Sequence, residues 1–108
     1  MTLQELRDVL KEPGIPVAHY KAQMTEHPYI VFRGLGTRYS HASGTSWREI
    51  RGVGVDHYTK TPFDETVDKL IIALLENKIN FTTAEIWYEE DEVIQTSFDF
   101  SISRELEV

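Results

Sequence analysis

From Ile94 to Ser103 the chain alternates without a break between two kinds of side chain. Ile94, Phe98, Phe100 and Ile102, with Thr96 among them, lie on one side of an extended backbone. Gln95, Ser97, Asp99, Ser101 and Ser103 lie on the other. Successive strand residues point to opposite faces, so this pattern demands a sheet with one buried face and one polar face. A parallel sheet covered on both sides would need apolar residues at every position. The alternation therefore favours an antiparallel sheet covered on one side only.

Two stretches are suited to be that cover. In the clearer one, Phe63, Val67, Leu70, Ile71, Leu74 and Leu75 form one apolar stripe at helical spacing. Thr61 is the expected N-cap with Pro62 as the first helical residue, and Glu65 and Lys69 pair one turn apart on the wet side. The other opens the chain. Thr2 and Glu5 have capping-box spacing, Leu3, Leu6 and Leu10 repeat at helical intervals, and Pro13-Gly14 ends the element. Such a short helix is marginal alone and needs a sheet to lie on.

The remaining strands fall between and after these helices. Ile15–Tyr20 reads as a first strand, followed by a polar link over Lys21–His27. Pro28–Arg33 is apolar on both faces and belongs inside the sheet. Gly34–Ser46, rich in glycine, serine and threonine, reads as a long hairpin loop. In Trp47–Thr59, Val53, Val55 and His57 share one face, and Gly52, Gly54, Asp56 and Tyr58 the other. Glycines at alternate positions mark a bulge or a close backbone approach. Phe81–Glu89 and Glu92–Ser103 form a closing hairpin. The order α-β-β-β-α-β-β predicts an α+β fold, a mainly antiparallel sheet of about five strands with two helices on one face. It reads as a single domain over 1–108, with 104–108 as a short flexible tail.

Charge narrows the function. Eighteen acids face 11 bases, for a net charge of −7. Nucleic-acid binding draws most of its affinity from clustered Lys and Arg, and here the bases are scattered apart from Arg33, Arg38, Arg48 and Arg51. Tight DNA binding is disfavoured. No apolar run reaches the ~20 residues that span a bilayer, and Met-Thr-Leu-Gln-Glu offers no secretory leader. The chain has no cysteine, which excludes disulfides and thiolate metal sites and fits a reducing compartment.

Nothing in the sequence is arranged for bond-making. His19, His27, His41 and His57 fall on separate elements without metal-ligand spacing, and His57 reads as a hydrogen-bonded, partly buried histidine. Gly34-Leu35-Gly36 and Gly52-Val53-Gly54 do not extend into phosphate-binding motifs. Ser40, Ser43 and Ser46 near His41 lack a nucleophile elbow. Glu89, Glu90, Asp91 and Glu92 sit at a hairpin tip, where they point apart into water. The chain reads as an assembly protein with no catalytic, cofactor or metal residues.

Val55–Lys60 and Ile86–Phe100, with Gly14–Ala18 and Pro28–Phe32, resemble small tail proteins encoded in prophages of Gram-positive bacteria. Those resemble the tail-completion, or tail-to-head joining, proteins of long-tailed phages. The likeness runs from about Leu3 to Ile102. It departs at His57, where an aliphatic residue is expected, and over Gly36–Ser46, which matches no family pattern. The resemblance implies a structural protein that caps the tail tube as a homo-hexameric ring in the assembled tail, with a monomer in solution as the alternative, and supports attachment to the capsid. Its partners would be its own copies, a tail-tube protein and a head-completion or connector protein. DNA would pass through without being held, with no cofactor and no membrane. The protein would belong to the virion tail after assembly in the host cytoplasm.

A ring uses heterologous contacts, in which one patch meets a different patch of the neighbour. The candidate interface residues are Arg38, Tyr39, His41, Arg48 and Arg51 in mid-chain and Glu90 and Asp91 in the acidic hairpin. The rival readings are another connector component (a head-completion or minor tail protein), a small ligand-binding regulatory domain, and a metal-dependent enzyme using histidines and carboxylates.

Overall fold

The computed structural model describes residues 1–20 and 26–108. The elements run α1 (Leu3–Leu10), β1 (Val17–His19), β2 (Tyr29–Ser43), β3 (Ser46–Thr59), α2 (Glu65–Glu76), β4 (Phe81–Tyr88) and β5 (Val93–Glu107). The order α-β-β-β-α-β-β is the one that the sequence pattern predicts. The strands form one five-stranded sheet in the order β1-β2-β3-β5-β4. β1 runs parallel to β2, and all other neighbours are antiparallel. Of the polar link expected over Lys21–His27, residues 21–25 lie outside the described residues.

One face of the sheet carries the core. Ile30 and Phe32 of β2, Val53 and Val55 of β3, and Phe98, Phe100 and Ile102 of β5 pack against Leu6, Val9 and Leu10 of α1 and Leu70, Ala73 and Leu74 of α2. Register explains the set, because Phe32, Val55 and Phe98 are rung neighbours, as are Val53 and Phe100. The alternation from Ile94 to Ser103 thus becomes a row under the helices and a row on the open face, where Gln95 is itself buried.

α1 begins as the sequence predicts. Thr2 Oγ1 accepts from the Glu5 backbone N–H at 3.1 Å, and Glu5 Oε1 accepts from the Thr2 N–H at 3.1 Å. The start of α2 differs from expectation. Asp64, not Thr61, is the N-cap, and Phe63 takes a φ of +56° that breaks the chain just before it. Asp64 wins because its carboxylate accepts three hydrogen bonds: from Thr66 N–H at 2.9 Å, Thr66 Oγ1 at 2.7 Å and Thr59 Oγ1 at 2.6 Å. The last of these ties the helix to the end of β3. Phe63 therefore leaves the stripe and is fully exposed, and Leu75, about 100° round the helix from Leu74, is exposed as well.

The largest departure concerns the expected loop over Gly34–Ser46. It is β-structure: β2 continues to Ser43, turns through Gly44 (φ +54°) and Thr45, and returns as β3. A bulge between Gly34 and Thr37 lies on β2, while the β3–β5 register is unbroken from Ser46 to Thr59. Gly52 is where the backbone of the bulge closes in. A Cβ there would lie 3.3 Å from Gly36 O. The expected tail over 104–108 is also corrected, because Arg104–Glu107 form the last rungs of β5 opposite Ser46–Glu49. Residues 35–43, 46–51 and 101–107 thus build a three-stranded arm beyond the helices, and the molecule measures 53 × 25 × 22 Å.

His57 is fully buried beneath α2. Thr66 Oγ1 donates its proton to Asp64, so it accepts from His57 Nε2–H at 2.7 Å, which leaves Nδ1 unprotonated and without a partner. Burial lowers the His57 pKa from its ordinary 6.5, with the Asp64 charge pulling the other way. A histidine depressed in the folded state contributes stability that is complete above the unfolded pKa and lost as pH falls toward the folded value. Unfolding free energy measured in urea should therefore fall as pH is lowered from about 7 to about 5. His57→Gln should flatten that slope, and an unchanged slope would show that the titrating group lies elsewhere.

Candidate interaction surfaces

The structure groups some of the interface candidates and separates others. Arg38, Tyr39, His41, Arg48 and Arg51 all lie on the arm, whereas Glu90 and Asp91 lie in the β4–β5 turn at the opposite end. β3 measures the separation. Its Thr59 pairs with Ile94 beside the acidic turn, and its Ser46 pairs with Glu107 at the arm tip. Within one chain these charges do not meet.

Pairing divides the arm candidates between two faces. Tyr39, Glu49 and Arg104 share a rung, as do His41, Trp47 and Leu106. Through Arg51 and Ile102 this face continues the helix-covered side of the sheet past the end of the helices. Arg38 pairs with Ile50, and Arg48 lies between Ser40 and Glu105, all on the other face.

The first face is a charge cluster edged by aromatics, in which the buried Arg51 Nε has no hydrogen-bond partner. Glu49 is only 6% exposed and receives Arg104 Nε and Nη2 at 3.1 and 3.4 Å, with Arg51 Nη2 at 3.9 Å. The Arg104 hydrogen bonds lower the Glu49 pKa against the opposing effect of burial, with further help from Tyr39 and Arg51. Arg51 is thus partly committed within its own chain. His41 hydrogen-bonds Gly44 O through Nε2 at 2.8 Å and lies 5.1 Å from the Trp47 ring. Tyr39 and Trp47 remain exposed, at 56% and 39%. Among the described residues, neither Arg38 nor Arg48 forms an ion pair.

A second polar arrangement, which sequence reasoning missed, crosses the open face of the sheet. Arg33 Nη1 meets Asp56 Oδ2 at 2.5 Å, and Asp56 Oδ1 accepts from Ser97 Oγ at 2.7 Å. Gln95 Nε2 donates to Ser97 Oγ at 3.1 Å, and Tyr88 Oη donates to Gln95 Oε1 at 2.5 Å. The line runs across β2, β3, β5 and β4. Gly54 leaves room for the Arg33 guanidinium, whose carbon would sit 3.1 Å from a Cβ there. At its end a groove of about 350 Å³ is lined by Tyr29, Tyr58, Lys60, Tyr88 and Asp91 among others. The stacked rings of Tyr29 and Tyr58 floor it, 5.1 Å apart. Burial, then the nearby Asp56 charge, raises the Tyr58 hydroxyl pKa. The only sequence signal for this line was the polar row Gln95, Ser97 with Asp56, and the partners became visible only through register.

Among the described residues, no three His, Asp or Glu side chains gather as a metal site, and no helix is long and apolar enough to cross a membrane.

These two kinds of residue should respond oppositely to truncation. Asp56→Ala removes the buried carboxylate that holds the half-exposed Arg33 guanidinium and the half-buried Ser97 hydroxyl, and should cost about 1 kcal/mol in urea unfolding. Arg38→Ala, Arg48→Ala and Asp91→Ala should each change stability by less than about 0.5 kcal/mol, because all three side chains are exposed.

No protein family matches the chain by sequence, and neither does any curated protein. Among solved structures, the chain is similar to a chain from the virion of a native gene transfer agent particle. The TM-score is 0.60 at 14% identity, over 96% of this chain and 91% of that one. A second solved chain matches at a TM-score of 0.41 and 12% identity, over 95% of this chain and 94% of its own. At such identities the first likeness shows a shared fold, and the second is too loose to bear on function.

Proposed function

We propose that this chain is a structural protein of a phage-type virion. It completes or caps the tail tube as a hexameric ring and supports joining of tail to head. The observation that carries the reading is the backbone likeness to a virion chain along nearly the whole of both molecules. The sequence resemblance to tail-completion proteins points the same way and supplies the tail position.

The shape and charge are consistent with this role. A ring needs two different surfaces on each subunit, and this chain carries basic and aromatic residues on its arm with acids at the far end. Its partners are its own copies, a tail-tube protein and a head-side connector, with Arg38, Tyr39, His41, Arg48, Arg51, Glu90 and Asp91 as contact residues. The chain acts in the virion tail after assembling in the host cytoplasm. Its role is non-catalytic: His57, the side chain most suggestive of chemistry, is sealed under α2 and held by Thr66. A net charge of −7 lets DNA move past without being held by its phosphates.

Deleting the gene in a particle-producing host tests the assignment by electron microscopy. The expected outcome is filled heads beside unattached tails, with joined particles restored by the wild-type gene. Heads that leak their DNA would move the protein to the head-completion position. Normal joined particles would overturn a virion role.

A further inference from the structure

β4 is an outer strand of the sheet, and among the described strands only β5 pairs with it. An uncovered edge offers unpaired N–H and C=O groups to any other chain, and proteins usually defend it with a short strand, a bulge, Lys or Pro. β1, the other outer strand, is defended by its length, three residues. β4 has none of these defences. Its pairing is continuous from Phe81 to Tyr88, it contains no Lys or Pro, and Ile86, Trp87 and Tyr88 are 44%, 56% and 42% exposed.

A second open rim lies on the arm, where the register shifts between Gly34 and Thr37 and between His41 and Ser43 leave Thr37–His41 as a regular stretch. β1 reaches only to Phe32, so residues 35–43 of β2 pair with β3 alone among the described strands. That rim also lacks Lys and Pro, and it exposes Leu35 and Tyr39. The two rims carry opposite charge. β2 contains Arg33, Arg38 and His41 and no acid, while β4 and the following turn contain Glu85, Glu89, Glu90, Asp91 and Glu92 and no base. β3 and β5 stand between them, so the rims of one chain cannot reach each other.

We propose that β4 of one copy pairs edge to edge with the arm rim of β2, residues 35–43, in a second copy, so that the sheet continues across the subunit boundary. Main-chain hydrogen bonds supply the attraction, as when a peptide adds to a sheet edge, and the opposite charges set orientation. β4 lies beside β5 residues 93–100 and the arm beside 101–107. The neighbour is therefore displaced along the strands by roughly 25 Å, and the contact is heterologous. This inference rests on the ring-forming reading and names its subunit contact.

The test compares wild type, Arg38→Glu, Glu85→Lys and the double variant by sedimentation over a concentration series, with hydrogen exchange read at the β4 amides. Wild type should associate, with β4 amides becoming protected as it does. Each single reversal should weaken association by about fivefold, because like charges then face each other across strands, and the double variant should recover it. Equal association of all four with unprotected β4 amides would overturn this contact and leave ring formation standing. A wild type that stays monomeric at every concentration would also overturn it, and the gene-deletion phenotype would then judge the virion reading separately.

Discussion

A strand advances about 3.4 Å per residue and a helix about 1.5 Å. That difference governs this molecule, because β3 has 14 residues while α1 has 8 and α2 has 12. At those rises β3 is about 48 Å long and α2 about 18 Å, so neither helix spans half of it. The sheet must outrun its cover. Where the helices lie, Val53, Val55, Phe98 and Phe100 form a dry core. Beyond them the same strands continue as an arm whose faces must be tolerable to water. The covered side passes from Phe100 and Ile102 to the Glu49–Arg104 pair and the rings of Tyr39 and Trp47.

The arm is held by means other than a core. It has three paired strands, a two-residue turn, and a buried carboxylate that engages two arginines. A two-stranded ribbon would be marginal in water, and the return of β5 as a third strand is what makes the extension tenable. This changes the meaning of the C-terminal residues: Arg104 and Leu106 complete the rungs on which Tyr39 and His41 sit. At the other end, the Asp64 carboxylate joins Thr59 of β3 to the first turn of α2, with His57 bonded into the same cluster through Thr66. The covered half is fixed by packing and the bare half by pairing.

The difference between these halves also decides what could be read from the sequence. The alternation over Ile94–Ser103, the Thr2–Glu5 cap and the Val53, Val55, His57 face are local signals of burial, and each has its expected place in the fold. The arm gives no such signal. Gly34–Ser46 has the composition of a loop, and its strand character comes from partners in β3 and, through β3, from residues about sixty positions later in β5. The N-cap of α2 was misplaced for a related reason. Asp64 takes the place expected of Thr61 because Thr66 and, from the preceding strand, Thr59 donate to its carboxylate. The interface candidates were legible as a group of bases and a group of acids. Their segregation to opposite ends, and the use of Arg51 within the chain, required the register.

Net charge adds a final constraint on association. Copies that each carry −7 repel one another in most orientations, and this repulsion keeps open strand edges from pairing at random. The arm rim is the place where that repulsion reverses, because Arg38 and His41 have no acid beside them on β2. An acidic partner edge is then favoured over a second arm, and arm-to-arm or β4-to-β4 pairing sets like charges against each other. Discrimination thus arises as much from the orientations that are penalised as from the one that is favoured. In the proposed joint, the scattered bases of an acidic chain have a physical purpose: they single out one direction of growth, head to tail, which a closed ring requires and a symmetric dimer would block.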